Sequence, residues 1–129
     1  MTQKLTVSLL YIQYGELGIG VSGKIPSPTL AKTINSMSTA VEKIVACNEF
    51  TLILSESSEV YVLGSNRNYQ LGTDDSQSHL TPFLNPFLTG ISGVGCGNSV
   101  SFFWNSTGIY GAGDNSVCPS ILLFFFVSF

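Results

Sequence analysis

Residues 45–72 read VACNEFTLILSESSEVYVLGSNRNYQLG, and this stretch decides the fold. The apolar and β-branched residues 50–54 predict one strand, and residues 60–63 predict a second. The polar residues 55–59 between the two runs predict a tight turn, and the stretch closes in a glycine-punctuated loop. The sequence here therefore predicts a β-hairpin followed by a loop.

The same pattern returns further along the chain. Residues 94–115 read VGCGNSVSFFWNSTGIYGAGDN and align without a gap on the first stretch, with residue 45 matching residue 94. In this alignment Cys47 corresponds to Cys96, and Gly64 corresponds to Gly113. The chain is therefore predicted to be a repeat protein.

A remnant of the pattern also precedes the main stretch. Residues 15–18 read GELG and match residues 69–72, which read YQLG. A repeat of about 50 residues made of short strands is typical of the blades of a β-propeller. We predict an all-β fold of antiparallel propeller blades, an incomplete array of about two blades.

The motifs EVYVLGSN and YQLG, followed by Pro82, resemble the repeat of the regulator of chromosome condensation family. That repeat usually reads as a Cys-Gly step, a His-Thr strand, Gly-x-Val-Tyr-x-Trp-Gly-x-Asn, then Gly-Gln-Leu-Gly and a proline. The best match covers residues 46–82, and an incomplete one covers residues 94–115. The resemblance implies blades that belong to a ring of about seven.

The chain departs from this family pattern in three places. The His-Thr position reads Phe50-Thr51 in one copy and, in the gapless alignment, Ser99-Val100 in the other. The motif tryptophan is replaced by Leu63 and Ala112. After Asn115 the expected Gly-Gln-Leu-Gly gives way to SVCPSILLFFFVSF, so the pattern stops abruptly there.

These matches divide the chain into predicted segments. We expect a partial blade strand at 1–13, propeller repeats at 14–115, and a divergent hydrophobic tail at 116–129. The repeats divide into a partial one at 14–40, a full one at 41–90 and a partial one at 91–115. Residues 34–39 are surplus to the repeat and predict a loop insertion, with a short helical turn as the alternative.

The tail ends in nine residues, 121–129, of which only Ser128 is polar. A helix needs about 20 apolar residues to cross a bilayer, so no membrane span is expected here. The run has the composition of an aggregation-prone strand unless something covers it. It is interpreted as an inner strand on an open blade face, a divergent partial blade, or the result of truncation or a changed reading frame.

Composition excludes several classes of function. Charged residues make up only 10% of the chain, which indicates a surface that is meant to be covered. The net charge is −3, and the five basic residues are scattered, so no direct nucleic-acid binding is expected. The three cysteines are an odd number, and we interpret them as buried apolar residues in blade strands, with no disulfide framework evident.

Motifs for chemistry are weak. The glycine-rich residues 15–25 lack the hydroxyl residue after Lys24 that a phosphate-binding loop needs. Asp74 and Asp75 are adjacent carboxylates on a polar loop, and His79 is the only histidine, but no third ligand or nucleophile accompanies them. We therefore expect no enzyme activity, no metal and no cofactor.

The leading hypothesis is a non-enzymatic protein-interaction module that works through loops 65–69 and 73–79. Its predicted contact residues, assigned with the loops, are Ser65, Asn66, Arg67, Asn68, Tyr69, Asp74, Asp75 and His79. The family resemblance implies one alternative, a guanine-nucleotide exchange regulator of a Ran-like small GTPase, and a degenerate fragment without activity is another. We expect a protein partner, self-association through open blade faces, and a location in the cytoplasm or the nucleus.

Overall fold

The computed structural model describes residues 6–7, 14–25, 27 and 29–116, with the backbone alone at 6–7. Most of the predicted strand at 1–13 and the apolar run at 121–129 lie outside these residues. In the described part, the chain forms three antiparallel sheets and one short helix. The prediction of an all-β fold of antiparallel sheets is confirmed, with three sheets where about two blades were predicted.

The three sheets follow one another along the chain, and we call them the first, second and third blades. The first blade pairs two short strands, β1 (Thr6–Val7) and β2 (Thr29–Leu30), and the helix α1 (Lys32–Asn35) comes after it. The second blade contains β3 (Val41–Ala46), β4 (Phe50–Ser55), β5 (Val60–Gly64) and β6 (His79–Leu84) in that order. The third contains β7 (Gly93–Cys96), β8 (Val100–Asn105) and β9 (Gly108–Gly113).

Both faces of the second blade are buried. One face packs against the third blade in a cluster that contains, among others, Phe50, Leu52, Val62 and Phe103. The opposite face places Ile53 and Leu63 against Ala31 and Ile34 of the segment before it. Because both faces are covered, all six residues of β4 are buried and its sequence does not alternate between apolar and polar.

The helix α1 lies where the sequence predicted a loop insertion. It is a single turn that starts at Lys32, two residues before the surplus segment, and it buries Ile34. The helical turn covers residues 34–35 of the surplus segment, and residues 36–39 form the predicted loop, so each description holds for part of it. Ile34 packs in a buried cluster with Ala31, Ile53 and Leu63, which attaches the helix to the second blade.

The register of the repeats differs by one residue from the gapless alignment. Thr51 pairs with Leu63 in the second blade, and Ser101 pairs with Ala112 in the third. Leu63 and Ala112 are 49 positions apart, as expected, but Thr51 and Ser101 are 50 apart. The hairpin between β8 and β9 is one residue shorter than that between β4 and β5. The family's His-Thr position in the third blade is therefore Val100-Ser101, and the assignment to Ser99-Val100 is wrong.

Equivalent hydroxyl groups connect each blade to the loop of the blade before it. The Thr51 hydroxyl donates to the carbonyl oxygen of Glu16 at 2.8 Å, and the Ser101 hydroxyl donates to that of Gln70 at 2.6 Å. Glu16 and Gln70 are equivalent residues of the GELG and YQLG loops. The same buried hydrogen bond thus recurs at both junctions between blades.

Cys47 and Cys96 form a disulfide between the second and third blades, with Cα atoms 6.0 Å apart. This corrects the prediction that both are free buried thiols. Equivalent side chains of stacked blades point in the same direction, and a shift of one residue along a strand reverses it. Cys96 is equivalent to Ala46 rather than to Cys47, so the two sulfur atoms face each other. Cys118 lies outside the described residues.

The equivalent glycines Gly64 and Gly113 have φ angles of +103° and +124°, which disfavour any other residue. A Cβ atom at Gly64 would collide with the Glu49 carbonyl oxygen and lie 2.6 Å from the Phe50 Cα. We predict that Gly64→Ala lowers the free energy of unfolding by about 2 kcal/mol or more. The matched control is Gly108→Ala, since a Cβ atom added there would meet nothing within 4 Å. Equal urea midpoints for the two variants would contradict this.

The disulfide closes a loop across a sequence separation of 49 residues, which corresponds to about 4 kcal/mol in the chain-entropy model. We predict that dithiothreitol lowers the free energy of unfolding of the oxidised protein by that order, whereas Cys47→Ser responds little to it. Cys118→Ser is the control and should keep the response of the natural sequence. Denaturant titrations with and without reductant measure the difference.

Candidate functional site

The loop that follows β5 is organised by the side chain of Asn66, which is 0% exposed. Its amide nitrogen donates to the Thr73 hydroxyl at 2.9 Å and to the Asp75 carbonyl at 2.7 Å. Its amide oxygen accepts the backbone N–H of Leu71 at 2.9 Å. One buried amide therefore holds together the two segments predicted to form the interaction loops.

Ser65, like Asn66, is buried and supports the loop from inside. The backbone N–H of Ser65 donates to the Glu49 carbonyl at 2.7 Å, which joins the loop to the turn between β3 and β4. Asn68 is half-buried, and its backbone N–H donates to the Gln70 side chain at 2.9 Å. The side chains of Ser65 and Asn66 are thus turned away from solvent, while the remaining predicted contacts lie nearer the surface.

Two exposed residues of the loops have left-handed backbone conformations. Tyr69 has a φ of +60° and its side chain is 56% exposed, and Asp74 has a φ of +54° and is also exposed. This region is unfavourable for residues other than glycine, by about 1–3 kcal/mol for each residue. The rigid base of the loop stabilises these conformations and leaves the two side chains in solvent.

Arg67 lies between the loop and two earlier parts of the chain. Its guanidinium group forms an ion pair with Glu49 at 2.5 Å and donates to the Tyr14 hydroxyl at 3.1 Å. The same group stands over the Tyr14 ring, 5.4 Å from its centroid. More than half of the Arg67 side chain remains exposed, so the cation is oriented but still accessible.

Asp75 and His79 make different contacts with the rest of the fold. The Asp75 carboxylate accepts the Gln77 backbone N–H at 3.0 Å and a second bond from Thr73 at 3.3 Å, which closes the turn. His79 begins β6 and stacks on Phe83, with ring centroids 4.2 Å apart. Asp75 therefore shapes the loop, whereas His79 belongs to the outer strand.

Two titratable groups among the described residues have a pKa shifted by their surroundings. Hydrogen bonds from the Ser116 hydroxyl and backbone N–H lower the pKa of Asp114, and burial beside Glu59 raises the pKa of Tyr61. Neither group belongs to the predicted contact loops. Within the ranges that the structure covers, no three His, Cys, Asp or Glu side chains lie together as metal ligands. In the same ranges, no helix is long and apolar enough to cross a membrane.

The sequence prediction missed Tyr14 and Glu49, which position Arg67. Tyr14 is 53 residues from Arg67, so no local pattern connects them. The repeat pattern could have indicated this contact. Tyr14 directly precedes the GELG loop, and stacked repeats bring equivalent loops side by side. Glu49 has a φ of +65° in the turn that receives Ser65, and nothing in its residue type reveals that conformation.

A comparison with family models identifies one segment of the chain. Residues 57–104 match the regulator of chromosome condensation (RCC1) repeat. This segment of the chain is an RCC1 repeat. The chain is 31% identical over 108 residues to the X-linked retinitis pigmentosa GTPase regulator of dog and to that of human. Each match covers 80% of this chain and 10% of the relative, so the chain spans about a tenth of these relatives.

Two solved structures share the fold. Human WBSCR16 superposes with a TM-score of 0.67 at 19% identity, over 80% of this chain and 27% of that one. Yeast RCC1 (Prp20), solved with Kap60 bound to it, gives 0.67 at 16% identity, over 80% and 26%. The sheets of this chain thus have the fold of β-propeller blades.

The hydrogen bonds of Asn66 predict how the loop responds to a substitution at this position. Asn66→Asp keeps the shape of the side chain but removes its donors and places a second carboxylate beside Asp75. We expect the free energy of unfolding to fall by about 1–3 kcal/mol and the Leu71 amide to exchange its hydrogen faster. Asn68→Asp adds the same charge nearby and should leave that amide protected. Similar exchange in both variants would show that Asn66 does not organise the loop.

Proposed function

We propose that the chain is a non-enzymatic protein-interaction module whose contact surface is formed by the loops at 65–69 and 73–79. The observation that carries this proposal is the display of Tyr69, a large and exposed side chain in an unfavourable backbone conformation. Such strain is concentrated at functional sites, because the rest of the fold must hold it. Arg67, Asp74 and Asp75 lie near it in the sequence and are also exposed.

Physical properties of the surface support this role. Tyrosine and arginine are enriched among residues that dominate binding energy, since both bury a large area and offer hydrogen bonds. The internal bonds of Asn66 fix the loop before binding, which reduces the entropy lost when a partner docks. Ser65 and Asn66 then contribute by support, while the contacts are supplied by Arg67, Asn68, Tyr69, Asp74, Asp75 and His79.

We propose a small GTPase of the Ran-like type as the candidate partner. This is favoured by the name of the matched relatives, which are GTPase regulators. Nucleotide exchange would require the chain to grip the GTPase and release its nucleotide, whereas docking requires binding alone. We propose a location in the cytoplasm or the nucleus. Thiols are kept reduced there, so the disulfide between Cys47 and Cys96 would be open and the blades would be held together by their apolar contacts and hydroxyl bonds.

The test uses the full chain and a purified Ran-like GTPase loaded with a fluorescent GDP analogue. Saturable binding in biolayer interferometry without faster nucleotide release supports the interaction module. Accelerated release supports the exchange regulator instead. No binding in either nucleotide state removes this partner, and poor solubility of the chain alone favours the degenerate fragment.

For the contact surface, we predict that Tyr69→Ala weakens binding to this partner by about tenfold or more, which is the effect typical of a dominant contact. The control is Tyr110→Ala, a second exposed tyrosine that lies on the third blade. Both variants should keep the unfolding midpoint of the natural sequence within a few degrees. Equal binding by the two variants would place the contact surface elsewhere.

A further inference from the structure

The loop at 65–69 is held at its two ends by different blades. At its start, the backbone N–H of Ser65 donates to the carbonyl oxygen of Glu49 at 2.7 Å, and Glu49 belongs to the turn between β3 and β4 of the second blade. Directly after its end, the carbonyl oxygen of Gln70 accepts the hydroxyl of Ser101 on the third blade at 2.6 Å. We call Glu49 and Ser101 the two anchors of the loop. The loop therefore depends on how these two blades sit against each other.

The disulfide between Cys47 and Cys96 connects the two anchors. Cys47 lies two residues before Glu49 and begins the same turn. Cys96 is the residue that pairs with Ser101 between strands β7 and β8. The bond keeps the Cα atoms of the two cysteines 6.0 Å apart, so it also restrains the separation of the anchors. The disulfide is thus a covalent brace for the loop.

The turn that begins at Cys47 also positions an exposed residue of the loop. The carboxylate of Glu49 forms the ion pair with Arg67, whose side chain is 56% exposed. Glu49 has a φ of +65°, a backbone conformation that persists only when its surroundings hold it. Movement of this turn would therefore displace both Ser65 and Arg67.

The junction between the blades keeps other contacts when the disulfide is open. Phe50 and Phe103 pack in one buried cluster across this junction, and the bond from Ser101 to Gln70 does not involve sulfur. The two cysteines lie at the border of the cluster and are half-buried. A small thiol or disulfide in solution can therefore reach the sulfur atoms while the blades stay folded.

We propose that Cys47 and Cys96 form a reversible thiol–disulfide switch that is oxidised by low-molecular-weight disulfides and that sets the rigidity of the loop at 65–69. This inference rests on the proposed function, which supplies the reducing compartment and the role of the loop. Disulfides that form in such compartments are usually transient and redox-sensing. The oxidised form braces the loop, and the reduced form releases it.

Glutathione disulfide represents this class of oxidant, and the bond closes in two thiol–disulfide exchanges. The thiolate of one cysteine first attacks a sulfur atom of glutathione disulfide, which forms a mixed disulfide and releases one glutathione thiolate. The thiolate of the other cysteine then attacks the protein sulfur of the mixed disulfide, which forms the bond between Cys47 and Cys96 and releases the second glutathione. The protein loses two electrons and two protons, and these appear in the two glutathione thiols. Excess reduced glutathione reverses both steps.

The first measurement asks whether the bond opens and closes in the folded protein. It uses the full chain with Cys118→Ser, which leaves a single pair of cysteines. The protein is equilibrated in buffers of stepped reduced-to-oxidised glutathione ratio, quenched with acid, alkylated and weighed by mass spectrometry. We expect reversible conversion between a form with both thiols alkylated and a form with neither.

The second measurement is hydrogen exchange of the oxidised and the reduced forms. We expect the Ser65 amide to exchange about tenfold faster in the reduced form, because the loop then opens locally. The control is the Thr33 amide, which donates to the Gly18 carbonyl at 3.2 Å on the other side of the second blade. It should exchange equally in both forms, whereas a general loss of stability would accelerate both amides.

Variants separate the bond from the rest of the turn. Cys47→Ser should show the fast exchange of the Ser65 amide in every buffer, and Cys96→Ser provides the same test from the third blade if Cys47→Ser does not fold. The matched control is Asn48→Ser, which changes an exposed residue of the same turn and should keep the response to glutathione.

Three results would overturn the proposal. Free thiols in every glutathione buffer would show that the pair does not close. A bond that survives excess reduced glutathione in the folded protein would make it a permanent part of the structure. Equal exchange of the Ser65 amide in the two forms would disconnect the bond from the loop. None of these measurements needs a partner, so a failure to bind the GTPase would count against the proposed function alone.

Discussion

The second blade can exist only between two neighbours, because both of its faces are apolar. Phe50 and Leu52 on one face, and Ile53 and Leu63 on the other, are fully buried. Burial of each such side chain contributes about 1.5–3 kcal/mol to folding stability. An isolated blade would expose at least one of these faces to water and lose that stabilisation. The hydroxyl bonds of Thr51 and Ser101 recur at these faces and fix how each blade sits on the preceding loop.

The same constraint explains why the strands were easy to predict and their register was not. A strand that is buried on one face alternates between apolar and polar residues, and this alternation fixes which residue faces inward. In β4 every residue is buried, so the sequence offers no alternation to count. The gapless alignment therefore misplaced the residues of the first two strands of the third blade by one position. It matched Cys47 with Cys96, although these two residues are not equivalent. Only pairing partners and the Thr51 and Ser101 bonds reveal the shift.

For the loops at 65–69 and 73–79, the position in the sequence was easy to predict, but the role of each residue was not. The polar composition of the loops and their position after β5 predict eight candidate contact residues. The sequence alone does not separate Asn66, whose amide is fully hydrogen-bonded inside the loop, from Tyr69, which projects outward. Asparagine is common both in solvent and in buried turns, so residue type alone does not distinguish these roles. The partners of Arg67 depend on the stacking of two blades and lie beyond any local pattern.

The shortened hairpin between β8 and β9 also limits how such repeats can be recombined. An exchange of segments that joins the second and third blades at Gly64 and Gly113 leaves each side chain on its original face of the sheet. This is because β5 and β9 are correctly matched by the gapless alignment. A crossover within the second strands, guided by the gapless alignment, would rotate each downstream side chain to the wrong surface. Shuffled libraries of these modules should therefore tolerate junctions at the glycines and reject those a few residues earlier.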